Sequence, residues 1–265
     1  MSTSGCPLLI ADDYAHDEGV SAAIVDLLGR GRIQGTSVMV LAPDWPSHAK
    51  ALRPWRGRVQ VGLHLDATSP WAGRAGVQRG LGAALCRAHA RLESAAALRR
   101  SVQQQLDAFE EHWGAPPDHI DGHQHIQQLP QWREALQAEL LRRHGQGQRP
   151  WLRVSRVDQP GFKARVISAT GARALHDWAR AAAWPVKAPL WGVYDFQGGQ
   201  ARFDRLMQGW LARQRACGDG VIMCHPGQGH QPDDPIRAAR QWEWAHLSSP
   251  EFALQLAALG GTPKP

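Results

Sequence analysis

The sequence predicts an α/β fold, a parallel sheet with helices outside it, either closed into a barrel or doubly wound. Three observations point there. Short apolar runs alternate with stretches of helical period about seven times along the 265 residues. The acids and histidines of chemical interest fall where the apolar runs end, which is where such folds gather their functional residues. No repeat or linker divides the chain, and single α/β barrel domains often reach this length.

The elements read in order. "PLLIA" (7–11) is a buried strand. A helix follows with Val20, Ile24, Leu27 and Leu28 on one face, ending near Gly29 and Gly31. "TSVMVLA" (36–42) and "RVQVGLHLD" (58–66) are the second and third strands. In the third, Val59, Val61, Leu63 and Leu65 share one face, and His64 shares the other with Gly62. In a barrel, His64 then points into the lumen and Gly62 leaves room below it. Residues 67–91 are rich in Gly and Arg and read as a surface insertion.

A helix with Val102, Leu106, Phe109 and Trp113 in register is stopped by "PPDHIDGHQ", which starts the fourth strand. "QWREALQAELLRRHG" is a helix ending in basic residues and glycine. Then come the strand "WLRVSRV" (151–157), a helix over 164–183, the strand "APLWGVYDF" (188–196) and a helix around Phe203 to Leu211. The strand "GVIMCHPG" (220–227) and a helical 235–259 close the series.

Composition narrows the classes. The formal charge is +6 and nearly all the cations are Arg, but they are scattered among Ala and Gln with no basic block. That argues against a nucleic-acid partner. Cys6, Cys86, Cys217 and Cys224 form no CxxC pair, so a cysteine zinc site is not expected. "MSTSGCPLLIADD" is too short and polar before its strand for a signal peptide, and no apolar run approaches a membrane span. A cytoplasmic protein with reduced thiols is the expectation. A homo-oligomer is left open.

Four strand ends carry chemistry: "IADDY" with Asp12 and Asp13, "GLHLD" with His64 and Asp66, "IDGHQH" with Asp121, His123 and His125, and "MCHPG" with His225. In a strand, Asp121, His123 and His125 would share one face. Each piece alone has an ordinary explanation: an N-cap for the acid pair, a core position for a lone histidine, a turn for "HPG". Their joint placement points to a metal or acid–base site. Two histidines and one carboxylate are a common set for a catalytic divalent ion, with positions left for water and substrate. An adjacent free acid could then take a proton from that water.

At these residues the chain resembles the YdjC-like carbohydrate deacetylases, which include chitooligosaccharide deacetylases and hopanoid-associated relatives. The likeness is carried in order by "IADDY", "SAAIVDLLGRGRIQGTSVMV", "VGLHLD", "HIDGHQHIQQLP" and "HPG". It implies a distorted (β/α) barrel of about seven strands, one domain over 1–265, and hydrolysis of the N-acetyl group of an amino sugar. It also implies one divalent metal ion, magnesium or zinc, on Asp13, His64 and His123, with Asp12 as general base. His225 is the candidate acid or oxyanion partner, and His125 an additional polar group or alternative ligand. Ala15 and Gln127 replace residues usual in the family; Gln127 reads as a change on the substrate side. Trp71, Trp191 and Tyr194 could stack on sugar, although core packing explains each as well. The alternative reading is another metal-dependent hydrolase, an amidohydrolase or phosphoesterase, on a similar barrel. A binding protein without turnover would not need Asp12.

Overall fold

The structure is a computed structural model that describes residues 7–74, 80–145, 147–157, 162–229 and 233–260. Cys6 and residues 75–79 of the expected insertion lie outside the described residues. The strands are β1 Leu9–Tyr14, β2 Gly35–Val38, β3 Gln60–Leu65, β4 His119–Gly122, β5 Trp151–Arg153, β6 Val186–Lys187, β7 Leu190–Trp191 and β8 Val221–Cys224. They form one sheet in the order β6-β5-β4-β3-β2-β1-β8-β7, and every pairing is parallel. A further parallel bridge joins Val157 to Leu190, so the two open edges approach each other in a nearly closed barrel.

Burial explains the elements. All six residues of β1 are buried, as expected of a parallel strand covered on both faces. The helix Glu18–Gly29 starts where the Asp17 carboxylate accepts from the Val20 amide at 2.8 Å, and it buries Val20, Ile24, Leu27 and Leu28. The helix Ala95–Trp113 buries Leu98, Val102, Leu106, Phe109 and Trp113, and it stops at Gly114 in the left-handed region. Among the described residues, no helix is long and apolar enough to cross a membrane.

The structure departs from the sequence reading at four places. Of the strand expected over 188–196 only Leu190–Trp191 forms, as β7, and Val186–Lys187 just before that stretch pairs separately as β6, so the sheet has eight strands rather than about seven. The insertion is not all loop, since Pro70–Arg74 and Leu81–His89 are helices. The helix expected over 164–183 is two, Phe162–Ala169 and Ala172–Ala181, divided at Gly171 (φ 132°). The stretch 235–259 breaks into Arg237–Ser248 and Pro250–Ala258, because Ser249 is extended and caps the second helix.

Candidate metal centre and active site

The site forms at the carboxyl ends of β1, β3, β4, β5 and β8. Two consecutive aspartates at the end of β1 should point to opposite faces. A bulge prevents this: Ala11 pairs with Thr36 but Tyr14 with Val38, so β1 carries one extra residue there. Asp13 takes up the bulge with φ 69°. Both carboxylates are thereby turned into the barrel, and both are buried.

Asp13 Oδ1 lies 3.3 Å from His64 Nε2 and 3.1 Å from His123 Nδ1, while Asp13 Oδ2 accepts from Arg240 at 2.8 Å. Asp13 and His64 are closed off, but the His123 ring is 19% exposed, so the cluster opens to solvent on that side. On its far side His64 Nδ1 lies 2.6 Å from Asp121 Oδ1. In the neutral ring that contact selects the tautomer in which Nδ1–H donates to the carboxylate and Nε2 is left with its lone pair towards the cluster. Asp121 is held in turn by the Ser37 hydroxyl at 2.5 Å and by Arg153 at 3.1 Å.

This donor set fits a divalent ion. Two ligands bonded at about 2.0–2.1 Å in a tetrahedral shell stand roughly 3.3 Å apart, close to the spacings Asp13 makes with the two imidazoles. Charge fits too. Burial pulls the His64 pKa down more than any other single cause, yet Asp121, Asp12 and Asp13 together push it up to about 10. Burial likewise works against ionised Asp13, but Arg240 and His123 outweigh it and hold its carboxyl well below the usual range. The cluster is therefore a place that attracts a cation. A second group, Asp12, His64 and Asp121, also converges. There the cation is already present, because Arg153 donates to both oxygens of Asp12 at 2.7 Å and reaches Asp121.

His225 follows β8, with Nε2 3.9 Å from Asp12 Oδ2. Burial is the largest influence on it and drives its pKa down to about 4, against the attraction of Asp12 and Asp13. The ring is thus neutral near neutral pH.

The expected shared face of Asp121, His123 and His125 does not form. β4 ends at Gly122, and a 3-10 turn begins at His123, with Gln124 and His125 at φ 53° and 63°. Asp121 stays on the strand beside His64, His123 swings to Asp13, and His125 turns away to Ser155 Oγ at 3.0 Å. Gln127 is not on the substrate side: it is fully buried, and its amide donates to the Arg153 carbonyl at 3.1 Å. The space expected beneath His64 is filled, since a Cβ on Gly62 would lie 2.3 Å from the buried His119 ring. Trp191 and Tyr194 are core residues. His16 pairs locally with Asp17 at 3.2 Å. Asp66 is buried and accepts from the Thr68 and Ser69 amides, so it shapes the loop after β3.

Arg153, Arg240 and Glu243 were not found from the sequence. Arg153 had a signal, an arginine inside the otherwise apolar "WLRVS", since unpaired arginine is almost never fully buried. Arg240 and Glu243 lie on a helix of mixed composition and had none.

Fold and site together define a parallel α/β barrel with an acid–imidazole cluster at its carboxyl mouth. The chain belongs to the YdjC-like family: the family model described as YdjC-like protein matches residues 8–258. Chitooligosaccharide deacetylases of Yersinia pestis and Yersinia pseudotuberculosis are each 29% identical over 127 residues, covering 46% of this chain and 50% of theirs. The chain thus spans about half the length of the curated relatives it matches. Among solved structures, a candidate cellobiose-phosphate cleavage protein of Enterococcus faecalis V583 has a TM-score of 0.69 at 16% identity, over 96% of this chain and 94% of that one. A peptidoglycan N-acetylglucosamine deacetylase gives 0.50 at 12% identity, over 96% and 83%. These two likenesses concern the fold.

Proposed function

We propose that the chain is a carbohydrate N-deacetylase that hydrolyses the N-acetyl group of an acetylated amino sugar and releases acetate. One divalent ion, magnesium or zinc, would be held by Asp13, His64 and His123. The observation that carries this reading is the convergence of Asp13 Oδ1, His64 Nε2 and His123 Nδ1 beside a second carboxylate, Asp12, fixed by Arg153. The names of the matched Yersinia relatives support the reaction.

When bound, the ion would polarise the acetyl carbonyl and acidify water. The protein's own residues do the rest. Arg153 holds Asp12 by both oxygens, and each oxygen keeps a lone pair for a proton from the attacking water. Water oxygen bonds to the acetyl carbon. His225, neutral at rest and beside Asp12, relays a proton to the nitrogen as the C–N bond breaks. Free amine and acetate result.

We read residues 1–265 as one deacetylase domain acting in the cytoplasm. The free Cys86, Cys217 and Cys224 support a reducing compartment. The test is acetate release from N-acetylglucosamine mono- and oligosaccharides. Metal-stripped protein is compared with protein given magnesium, zinc, cobalt or manganese. Metal-dependent release that Asp13→Ala abolishes is the expected outcome. Stoichiometric metal binding with no release from any of these sugars counts against the reaction.

A further inference from the structure

The helix Arg237–Ser248 reaches two parts of the site at once. Arg240 donates to Asp13 Oδ2, and its own carbonyl accepts from the Gly227 amide at 3.1 Å. One turn on, the fully buried Glu243 accepts from the His225 main-chain N–H at 2.5 Å and from the Tyr194 hydroxyl at 2.7 Å. The last ladder pairing of β8 is Ala11 with Cys224, so the His225 amide lies just beyond the sheet and takes its acceptor from a side chain instead. The Phe196 ring meets the His225 ring edge-on at 5.3 Å. Phe196 itself has φ 60°, a backbone state non-glycine residues rarely take.

A buried carboxylate is an expensive acceptor for one amide and one hydroxyl, since apolar side chains would pack there without the desolvation cost. We infer that Glu243, braced by Tyr194, is a positioning residue: through the His225 main chain it sets the imidazole beside Asp12 and towards the departing nitrogen. The inference rests on the deacetylase reading above. Neither Glu243 nor Tyr194 reaches the reacting atoms. Their effect should fall on the step that needs a proton delivered, because His64 is held by Asp121 and Asp12 by Arg153, neither of which lies on this helix.

The test compares two substrates in the metal-loaded full chain: an N-acetylated chitooligosaccharide, whose amine must be protonated, and 4-nitrophenyl acetate, whose phenolate leaves without a proton. Glu243→Ala should lower kcat on the amide on the order of 100-fold with KM changed less than about threefold. Its kcat on the ester should stay within roughly threefold. Glu243→Gln keeps a carbonyl acceptor and should lose about tenfold less than Glu243→Ala; Tyr194→Phe should fall between them. If Glu243→Ala does not fold, the other two variants carry the same amide-to-ester comparison.

A parallel loss on both substrates overturns the inference, as does no loss on either. Independently of turnover, 15N-histidine spectra should give His225 one fixed tautomer in the wild type and Glu243→Gln, and a shifted or broadened signal in Glu243→Ala. An unmoved signal overturns the inference. Absence of acetate release from the wild type would sink the deacetylase reading instead, and the spectra would then decide the positioning role alone.

Discussion

Asp121→Asn should weaken metal binding while leaving all three proposed ligands in place. Asp121 Oδ1 takes the His64 Nδ1–H at 2.6 Å, a short charge-assisted contact, and Oδ2 takes Ser37 and Arg153. Asparagine has one carbonyl for these donors and no charge. Its amide, turned towards Arg153 or Ser37, would present N–H to groups that already donate. With its carbonyl kept towards Nδ1–H, asparagine preserves the tautomer of His64 but removes the basicity that an adjacent carboxylate gives a ligating imidazole. Losing such a carboxylate behind a metal-binding histidine typically costs 10–100-fold in affinity, about 1.4–2.7 kcal/mol. Calorimetric titration of zinc and of magnesium into stripped protein measures it, with Asp13→Ala as the larger loss and urea unfolding as the check on folding. A dissociation constant within about twofold of the wild type, in a folded variant, would refute the reasoning.

Three further outcomes follow from neighbouring contacts. Arg153→Met strands Asp12 and Asp121 as buried charges and should cost about 3–5 kcal/mol in denaturant unfolding; Asp12→Asn in the same chain should recover part of it, and additive costs would deny the pairing. Gly62→Ala drives a methyl into the His119 ring, which stacks on Trp151 at 4.5 Å, and should cost about 1–3 kcal/mol with a change in tryptophan fluorescence. Burial raises the Glu243 pKa from 4.5 to about 7, so its contribution to stability is whole below the unfolded value and is lost as pH rises through the folded one. From pH 4 to 8 the wild type should therefore lose about 3 kcal/mol more stability than Glu243→Gln, and parallel unfolding curves for the two would contradict this.

What the sequence revealed depended on period. Alternating strand and helix patterns gave the parallel architecture, because burial on both faces of β1 and on one stripe of Ala95–Trp113 leaves a pattern in residue type. The strand ends bearing Asp12, Asp13, His64 and His225 were legible for the same reason. Parity failed where the backbone leaves the strand. The bulge at Asp13 and the 3-10 turn at His123 both use positive φ on non-glycine residues, which residue type does not advertise. The motif could therefore suggest His123 over His125, while strand geometry could not. β6 and β7 are too short to carry a period of two. The charges behind the site come from β5 and from a helix more than 100 residues further along the chain than β4, and nothing local to Arg240 or Glu243 signals a partner so distant.

Those charges also bear on how many ions the site would take. Asp12, Asp13, Asp121 and Asp234 gather around Arg153 and Arg240, leaving two negative charges without a guanidinium to match. In the metal-free chain the raised pKa of His64 lets it hold a proton, which covers one of them. A single divalent ion on Asp13, His64 and His123 covers both and needs His64 neutral, the state that its bond to Asp121 leaves ready to ligate through Nε2. A second divalent ion at Asp12, His64 and Asp121 would have to displace Arg153 from both oxygens of Asp12 and bury excess positive charge. This charge balance is our reason for proposing a single ion, with Arg153 as a fixed second cation that holds the proposed base in place.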